Sequence, residues 1–360
     1  MMKEISSYGI LTPRIRGRRS FMLVKSDYDA MMGAENVQAA LRRLEGTRYR
    51  PFLTQMFMEE VDIYRIEESL VKAYHAEVKF ILSHLRNKEA INFFQELHRS
   101  LELKCLANIV KSILLDVEWD KVSRSLLPYG KFDASTCKSL VENKNIKRAL
   151  QFFQDKALLK NIEEILRGTD NPSRQALEVD TAISKHTLMK TWQKLNEVKG
   201  RDRYSIELMG IASDMTNAMT VLRMKKLGFK TDEISEYLIP VYHKLEEDEL
   251  KRSALAPTDK DAVKIFTAGH YAGVVSPLIS TYEVEGDLSI FETAFKRFHA
   301  DECRKIFVLR FFHLGEALAY LYIKMYEVRD LIAILIAKNL DLPTNKIEPN
   351  LVLHQPLHPL

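Results

Sequence analysis

Cysteine is scarce: three residues in 360, Cys105, Cys137 and Cys303, odd in number and far apart. That argues against a disulfide framework or a zinc cluster and for a reducing compartment. Glycine and proline are also few, 13 and 11 residues, which favours helix over sheet. No phosphate loop of the form GxxxxGK[ST] is present, so the chain is expected not to bind ATP unaided. A nucleophile elbow and an Asp-rich metal motif are missing too. Net charge is only +4, which gives no global signal for nucleic acid. The opening MMKEISSYGILT lacks an apolar core long enough for a signal peptide.

Long uncharged apolar runs are absent as well. The stretch from about His299 to Lys338 is the most apolar and reads as one helix, hydrophobic nearly all round. Arg310, Glu316, Lys324, Glu327, Arg329 and Asp330 interrupt every window of membrane-spanning length, each at a cost of several kcal/mol at a bilayer centre. The expectation is a buried helix touched on several sides.

What the chain does contain is internal similarity. Glu327–Leu351 reads as the end of a long helix, a break at Asn339–Pro343, with Asn339 suited to a left-handed end, and a small helix carrying Ile347 and Leu351. Asp214–Leu238 repeats the pattern with Gly228 at the break and Ile234 and Leu238 after it; Glu102–Leu126 does so with Val122 and Leu126. Upstream of each lies a marker of apolar, acid, any, small and apolar residues, whose acids are Glu67, Asp180 and Glu292. Acid to acid, the separations are 35, 34 and 35 residues. Each unit has a lead-in of small helices, ending at Tyr49, at Tyr271 and, more loosely, at Arg148–Phe153. Helical hairpins are expected over about Met56–Leu115 and Ala176–Leu227 and in the third unit, where Ser289 and Glu292 have capping-box spacing. The predicted fold is all-α: three tandem helical repeats forming a pseudo-threefold funnel-shaped body, divided as 1–128 with a basic N-terminal segment, 129–240 and 241–360.

Candidate chemistry is sparse. His299 and Cys303 lie one turn apart, the spacing of a metal pair, but no second Cys/His pair accompanies them, so unrelated surface side chains are the better reading. The repeated acids read as helix-terminal or inter-helix contacts. Residues 1–50 concentrate the positive excess in Arg14, Arg16, Arg18 and Arg19, which suits an anionic partner or lipid surface and equally a solvated helix end.

Tyr8-Gly9-Ile10 with Arg14-Ile15-Arg16-Gly17 and Tyr28, followed by Leu44-Glu45-Gly46-Thr47-Arg48-Tyr49, resembles the opening of the C-subunit family of A/V-type rotary ATPases, whose eukaryotic vacuolar members are the d-subunits. The three hairpins, with Leu126-Leu127-Pro128 and Leu238-Ile239-Pro240 after two of them, resemble that family's three repeats. The chain departs in keeping the family's Asn, three after the acid, only at Asn217, against Cys105 and Asp330, and in having Leu351-Val352-Leu353 without a proline.

The resemblance implies a three-lobed helical funnel on the cytoplasmic face of the membrane, peripheral to it. It implies a non-catalytic socket coupling the rotating stalk to the membrane ion-translocating ring of an A-type ATP synthase or V-type ATPase engaged in hydrogen ion transport. The implied partners are central-stalk subunits of the D and F type and the rotor ring of proteolipid subunits, with no nucleic acid, small-molecule substrate, cofactor or metal. Two other classes remain: a helical-repeat adaptor that binds proteins in a concave face, and a helical enzyme with an acid-lined cavity.

Overall fold

The computed structural model describes residues 8–59, 61–122, 130–198, 202–308 and 311–354. Regular structure among these residues is helical, as expected, with no β-strand. In chain order the helices are α1 (Leu11–Arg19), α2 (Lys25–Met32), α3 (Val37–Arg42), α4 (Arg50–Leu53), α5 (Ile63–His84), α6 (Lys88–Leu114), α7 (Trp119–Val122), α8 (Ala134–Glu142), α9 (Ile146–Leu150) and α10 (Lys156–Gly168). There follow α11 (Pro172–Glu197), α12 (Arg203–Lys226), α13 (Thr231–Tyr237), α14 (Glu247–Leu255), α15 (Asp259–Ile265), α16 (Ala272–Val275), α17 (Ile279–Glu285), α18 (Ser289–Ile306), α19 (Leu314–Asn339) and α20 (Thr344–Ile347).

Many of these helices start where a short polar side chain satisfies the first free amides. Asp62 accepts from Tyr64 and Arg65 N–H, Asp133 from Thr136, Asn145 from Arg148, Asp155 from Ala157 and Leu158, and Thr258 from Asp261. The chain divides into two compact units: Met1–Phe94 with Val198–Leu208 and Thr293–Leu360, and Gln95–Glu197 with Met209–Glu292.

The first unit is organised on α19, against which α1, α2, α3 and α5 pack. Nineteen of the 26 residues of α19 are buried, so it has no solvent face to speak of. Leu318, Leu331, Ile334 and Leu335 are fully enclosed, each removal from water stabilising by about 1.5–3 kcal/mol. In the second unit α10 lays Leu158, Ile162 and Ile165 against α11, and α13 packs against both α11 and α14.

The ends of α6, α12 and α19 share one hydrogen-bond register. Val117 N–H donates to Ser112 O, Phe229 to Met224 and Leu342 to Ala337, each a six-to-one helix-terminating bond. The left-handed residue is Asp116 (φ 50°), Gly228 (φ 77°) and Asp341 (φ 52°), in every case 14 residues after Glu102, Asp214 or Glu327. The next helix, α7, α13 or α20, then begins 17 residues after the same acid. Leu126 and Leu126-Leu127-Pro128 lie outside the described residues.

Three local expectations are corrected. The left-handed end of α19 is Asp341, not Asn339, which is still helical. The stretch from His299 to Lys338 is not one helix: α18 stops at Ile306 and α19 starts at Leu314, with Phe312 left-handed (φ 65°) just before it. The Ser289–Glu292 capping box does not form. Ser289 opens α18 with its N–H and hydroxyl on the Asp287 carboxylate, and Glu292 turns instead to Arg223.

Candidate functional site

Buried carboxylates in both units act as grips on backbone, at the acids spaced alike in the sequence. In the second unit Asp214, on α12 and fully buried, accepts from the N–H groups of His243 (3.1 Å), Lys244 (2.7 Å) and Leu245 (3.1 Å) and from Tyr271 Oη (2.8 Å). One turn on, Asn217 donates to Ile239 O (3.0 Å) and accepts from Ile239 N (2.7 Å). The segment that follows α13 is therefore pinned to α12 by two side chains three residues apart, which share one face of a helix. Burial raises the Asp214 carboxyl above its ordinary value, and the backbone donors and Tyr271 pull it back down.

The first unit has the same arrangement on α19. Glu327 Oε1 accepts from Tyr49 Oη (2.7 Å) and Lys324 Nζ (2.6 Å), and its Oε2 accepts from Leu23 N (2.7 Å). Lys324 lies over the Tyr49 ring, 4.1 Å from its centroid. Three residues further, Asp330 accepts from Val352 N (2.9 and 3.1 Å) and Leu353 N (2.7 Å), 22 and 23 residues downstream, as Ile239 is 22 from Asn217. Burial pushes the Asp330 carboxyl up to about 6 against the pull of those two amides. Tyr49 and Tyr271, the residues that close two lead-ins, thus meet Glu327 and Asp214 in the same way. On α6, Glu102 lies against Gly130: a Cβ at Gly130, whose φ is +63°, would stand 1.9 Å from Glu102 Oε1. Cys105, in the place of Asn217 and Asp330, is buried, and a hydrogen bond with it, followed by burial, raises the Cys137 thiol.

The marker acids do not converge. Lys111 Nζ pairs with Asp180 at 2.9 Å, and Arg223 pairs with Glu292; in both the cation precedes the acid by 69 residues. Glu67, on α5, is buried and its Oε1 has no hydrogen-bond partner among the described residues.

The four arginines are distributed along α1. Arg14 is exposed and its guanidinium meets His84. Arg16 Nε donates to Glu316 Oε1 (2.7 Å) and its guanidinium lies 4.0 Å over Phe311. Arg18 donates to both Glu77 oxygens (2.8 and 2.9 Å) and lies 3.6 Å over Phe80; Arg19 lies 4.4 Å over Phe307. Such contacts of cation with ring face are electrostatic and are strengthened by partial burial. Glu316 is fully buried and also accepts from Thr12 Oγ1 (2.8 Å). Sequence reasoning missed Glu77 and the role of Glu316, whose partners lie 59 and 300 residues away with no local spacing to betray them.

His299 and Cys303 are core residues, correcting their reading as surface side chains. His299 Nε2 donates to Leu208 O (3.1 Å), which leaves Nδ1 to accept from Tyr326 Oη (2.8 Å). Both ring nitrogens are committed in a neutral imidazole, whose value burial lowers to about 4. No group of three or more His, Cys, Asp or Glu placed to hold a metal occurs among the described residues. A groove of about 340 Å³ beside α10, α11 and α13 is lined by Leu158, Asn161, Lys185, His186, Met189 and Tyr237. Its cations are already engaged: Lys185 on Glu236 O, with Lys190 on Asp155 beside it. No described helix is long and apolar enough to cross a membrane.

Comparison with known proteins adds the family dimension. The family model of the ATP synthase (C/AC39) subunit matches residues 11–349. The chain is 20% identical over 353 residues to the C-subunit of the A-type ATP synthase of Methanocaldococcus jannaschii, covering 98% of this chain and 88% of that protein. It is 23% identical to the A-type ATP synthase C-subunit of a Desulfurococcus species, with 96% and 89% covered, and 24% identical to that of Thermococcus kodakarensis, with 91% and 86% covered.

Proposed function

The chain belongs to the ATP synthase (C/AC39) subunit family, and on that premise we propose that it is a non-catalytic connector of an A/V-type rotary ATPase. It joins central-stalk subunits of the D and F type to the membrane ring of proteolipid subunits, lying peripherally on the cytoplasmic face. Rotation passes through it; no bond is made or broken on it. The observation that carries this reading is the use of the buried acids. Asp214, Glu327, Asp330 and Glu316 spend their oxygens on backbone amides, tyrosine and threonine hydroxyls and neighbouring cations. A carboxylate with three or four hydrogen bonds already on its roughly four lone-pair sites holds two segments at a fixed distance and has little left to offer a substrate. Stiffness is what transmission of torque requires.

The three sequence divisions, 1–128, 129–240 and 241–360, are read as structural copies, supported by the shared register at the ends of α6, α12 and α19. Arg14, Arg16, Arg18 and Arg19 are read as part of the partner-facing surface. Arg14 and Arg19 contribute charge to it, whereas Arg16 and Arg18 also anchor α1 to Glu316 and Glu77.

A paired assay tests the proposal: ATP hydrolysis by the soluble head, and ATP-driven ion uptake by membrane vesicles, each with and without the chain. Hydrolysis persists and ion uptake stops when it is removed. Ion uptake that survives removal overturns the coupling role.

A further inference from the structure

Glu67 is the one marker acid of the three without a counterion among the described residues, and its surroundings are specific about why. Asp180 pairs with Lys111 and Glu292 with Arg223, and both cations stand nine residues after the acid of the preceding clamp, Glu102 or Asp214. Nine residues after Glu327, on α19, stands Ile336. The helix bearing Glu67, α5, packs along α19 in the first unit. The side chain that would complete the third pair is thus an aliphatic one, and Glu67 is 3% exposed with Oε1 unbonded.

The charged groups on the packed elements are paired with other groups or exposed, as is Lys79 on α5. On α19, Glu316 holds Arg16, Lys324 holds Glu327, Asp330 holds two backbone amides, Lys338 donates to Ala34 O, and exposed Arg329 sits near Tyr74. On α5 itself Glu68 pairs with Lys72, Glu77 with Arg18 and Arg65 with Glu59; on α4, Arg50 is exposed.

We propose that Glu67 is a proton-binding site at the contact of α5 with α19: with the proton bound the carboxyl is neutral and the contact is closed, and with the proton lost to solvent an uncompensated charge opens it. An isolated carboxylate in an apolar contact cannot be ionised cheaply, so it keeps its proton. Burial alone, with no neighbouring charge contributing, moves the Glu67 carboxyl from its ordinary 4.5 to about 8.

The sign follows from linkage. Between about 4.5 and about 8 the closed state holds the proton and the opened one does not. Closure therefore weakens as pH rises across that window, about tenfold in its equilibrium constant per pH unit for one proton, and levels off above it. Hydrogen exchange of the full chain, read on α5 peptides and corrected for the intrinsic pH dependence of exchange, measures this opening. In Glu67→Gln, which keeps the shape and cannot ionise, the α5 opening constant is flat. The ratio of wild type to variant then climbs about tenfold per unit from about pH 5.5 to about 7.5. Parallel pH profiles overturn the proposal. A second measurement needs no variant: infrared titration of the wild-type chain shows a protonated carboxyl band that disappears near pH 8, separate from that of Asp330 near 6. Absence of a carboxyl titrating near 8 overturns the proposal whatever the variant does.

Discussion

The Asp214 clamp makes the most quantitative demand on the structure. Tyr271→Phe removes one hydrogen bond to an ionised group, formed at 2.8 Å between buried partners, and is expected to cost about 1.5–3 kcal/mol. Asp214→Ala is worse. It leaves the amides of His243, Lys244 and Leu245 and the Tyr271 hydroxyl without an acceptor, at a site with no exposure. A stranded buried donor costs about 1–3 kcal/mol, so even the lower end for three amides gives about 3 kcal/mol, and the hydroxyl brings it to about 4. The double variant no longer strands the hydroxyl and has no Tyr271 bond left to lose, so at the lower-end figures its cost falls short of the sum of the two singles by about 2.5 kcal/mol. Urea denaturation followed by tryptophan fluorescence is the assay, since Trp119 and Trp192 both belong to the unit that holds Asp214. A cost for Asp214→Ala below about 1 kcal/mol, or strictly additive singles, would show that the carboxylate is solvated and grips nothing.

Two further outcomes follow from the same geometry. Asp330→Asn is tolerated within about 1 kcal/mol, because Asn217 performs the corresponding task with an amide, whereas Asp330→Ala strands two buried amides at about 1–3 kcal/mol each. Since the Asp330 carboxyl is raised from 3.8 to about 6, the native state holds an extra proton between those values. The Asp330 contribution to wild-type stability therefore falls as pH rises from about 4 to about 6, a part of the slope that Asp330→Asn removes while the part due to Glu67 remains. At the helix ends, Gly228→Ala places a Cβ in open space but at φ 77°, so the loss of about 1–2 kcal/mol is conformational. Asp341→Gly, at φ 52°, changes stability in the opposite sense by up to about 1 kcal/mol, both read from the shift in urea midpoint.

Much of the helical framework was legible because its cues are local: three-and-four spacing, an Asp or Asn before many starts, a left-handed residue after the end. The acids that grip backbone were legible too, through their equal spacing, although nothing in one copy alone distinguishes Asp214 from a surface aspartate. The break between α18 and α19 was not. Ile306–Phe312 contains neither proline nor glycine, and the chain turns there at a left-handed phenylalanine that only tertiary packing can hold. The end of α19 was misplaced by two residues because Asn339 and Asp341 both tolerate that conformation; the offset of Gly228 from Asp214 decides between them. His299 was taken for a surface residue because i, i+4 spacing says nothing about which face of a helix is covered.

The grips of the first unit also say something about how the chain holds its ends. Thr12, Arg16, Leu23, Ala34 and Tyr49, all from the first fifty residues, are fastened to Glu316, Glu327 and Lys338 of α19. These contacts span about 280 to 304 residues of sequence. Bringing such distant segments together costs more loop entropy than closing a hairpin, though the cost grows only logarithmically with length. Burial of Leu11, Ile15, Met31 and Leu41 offsets part of it without fixing which partner is correct. The buried Glu316 and Glu327 of α19 add a stronger term, because without the N-terminal segment Glu316 would lose Arg16 and Thr12 and Glu327 would keep only Lys324. Stranded charges are far more costly than lost van der Waals contact. The buried acids of α19 therefore work in both directions: they make the correct docking of the N-terminal segment stabilising, and any other docking severely unfavourable. That is how a helix with almost no solvent face can still specify which helices surround it.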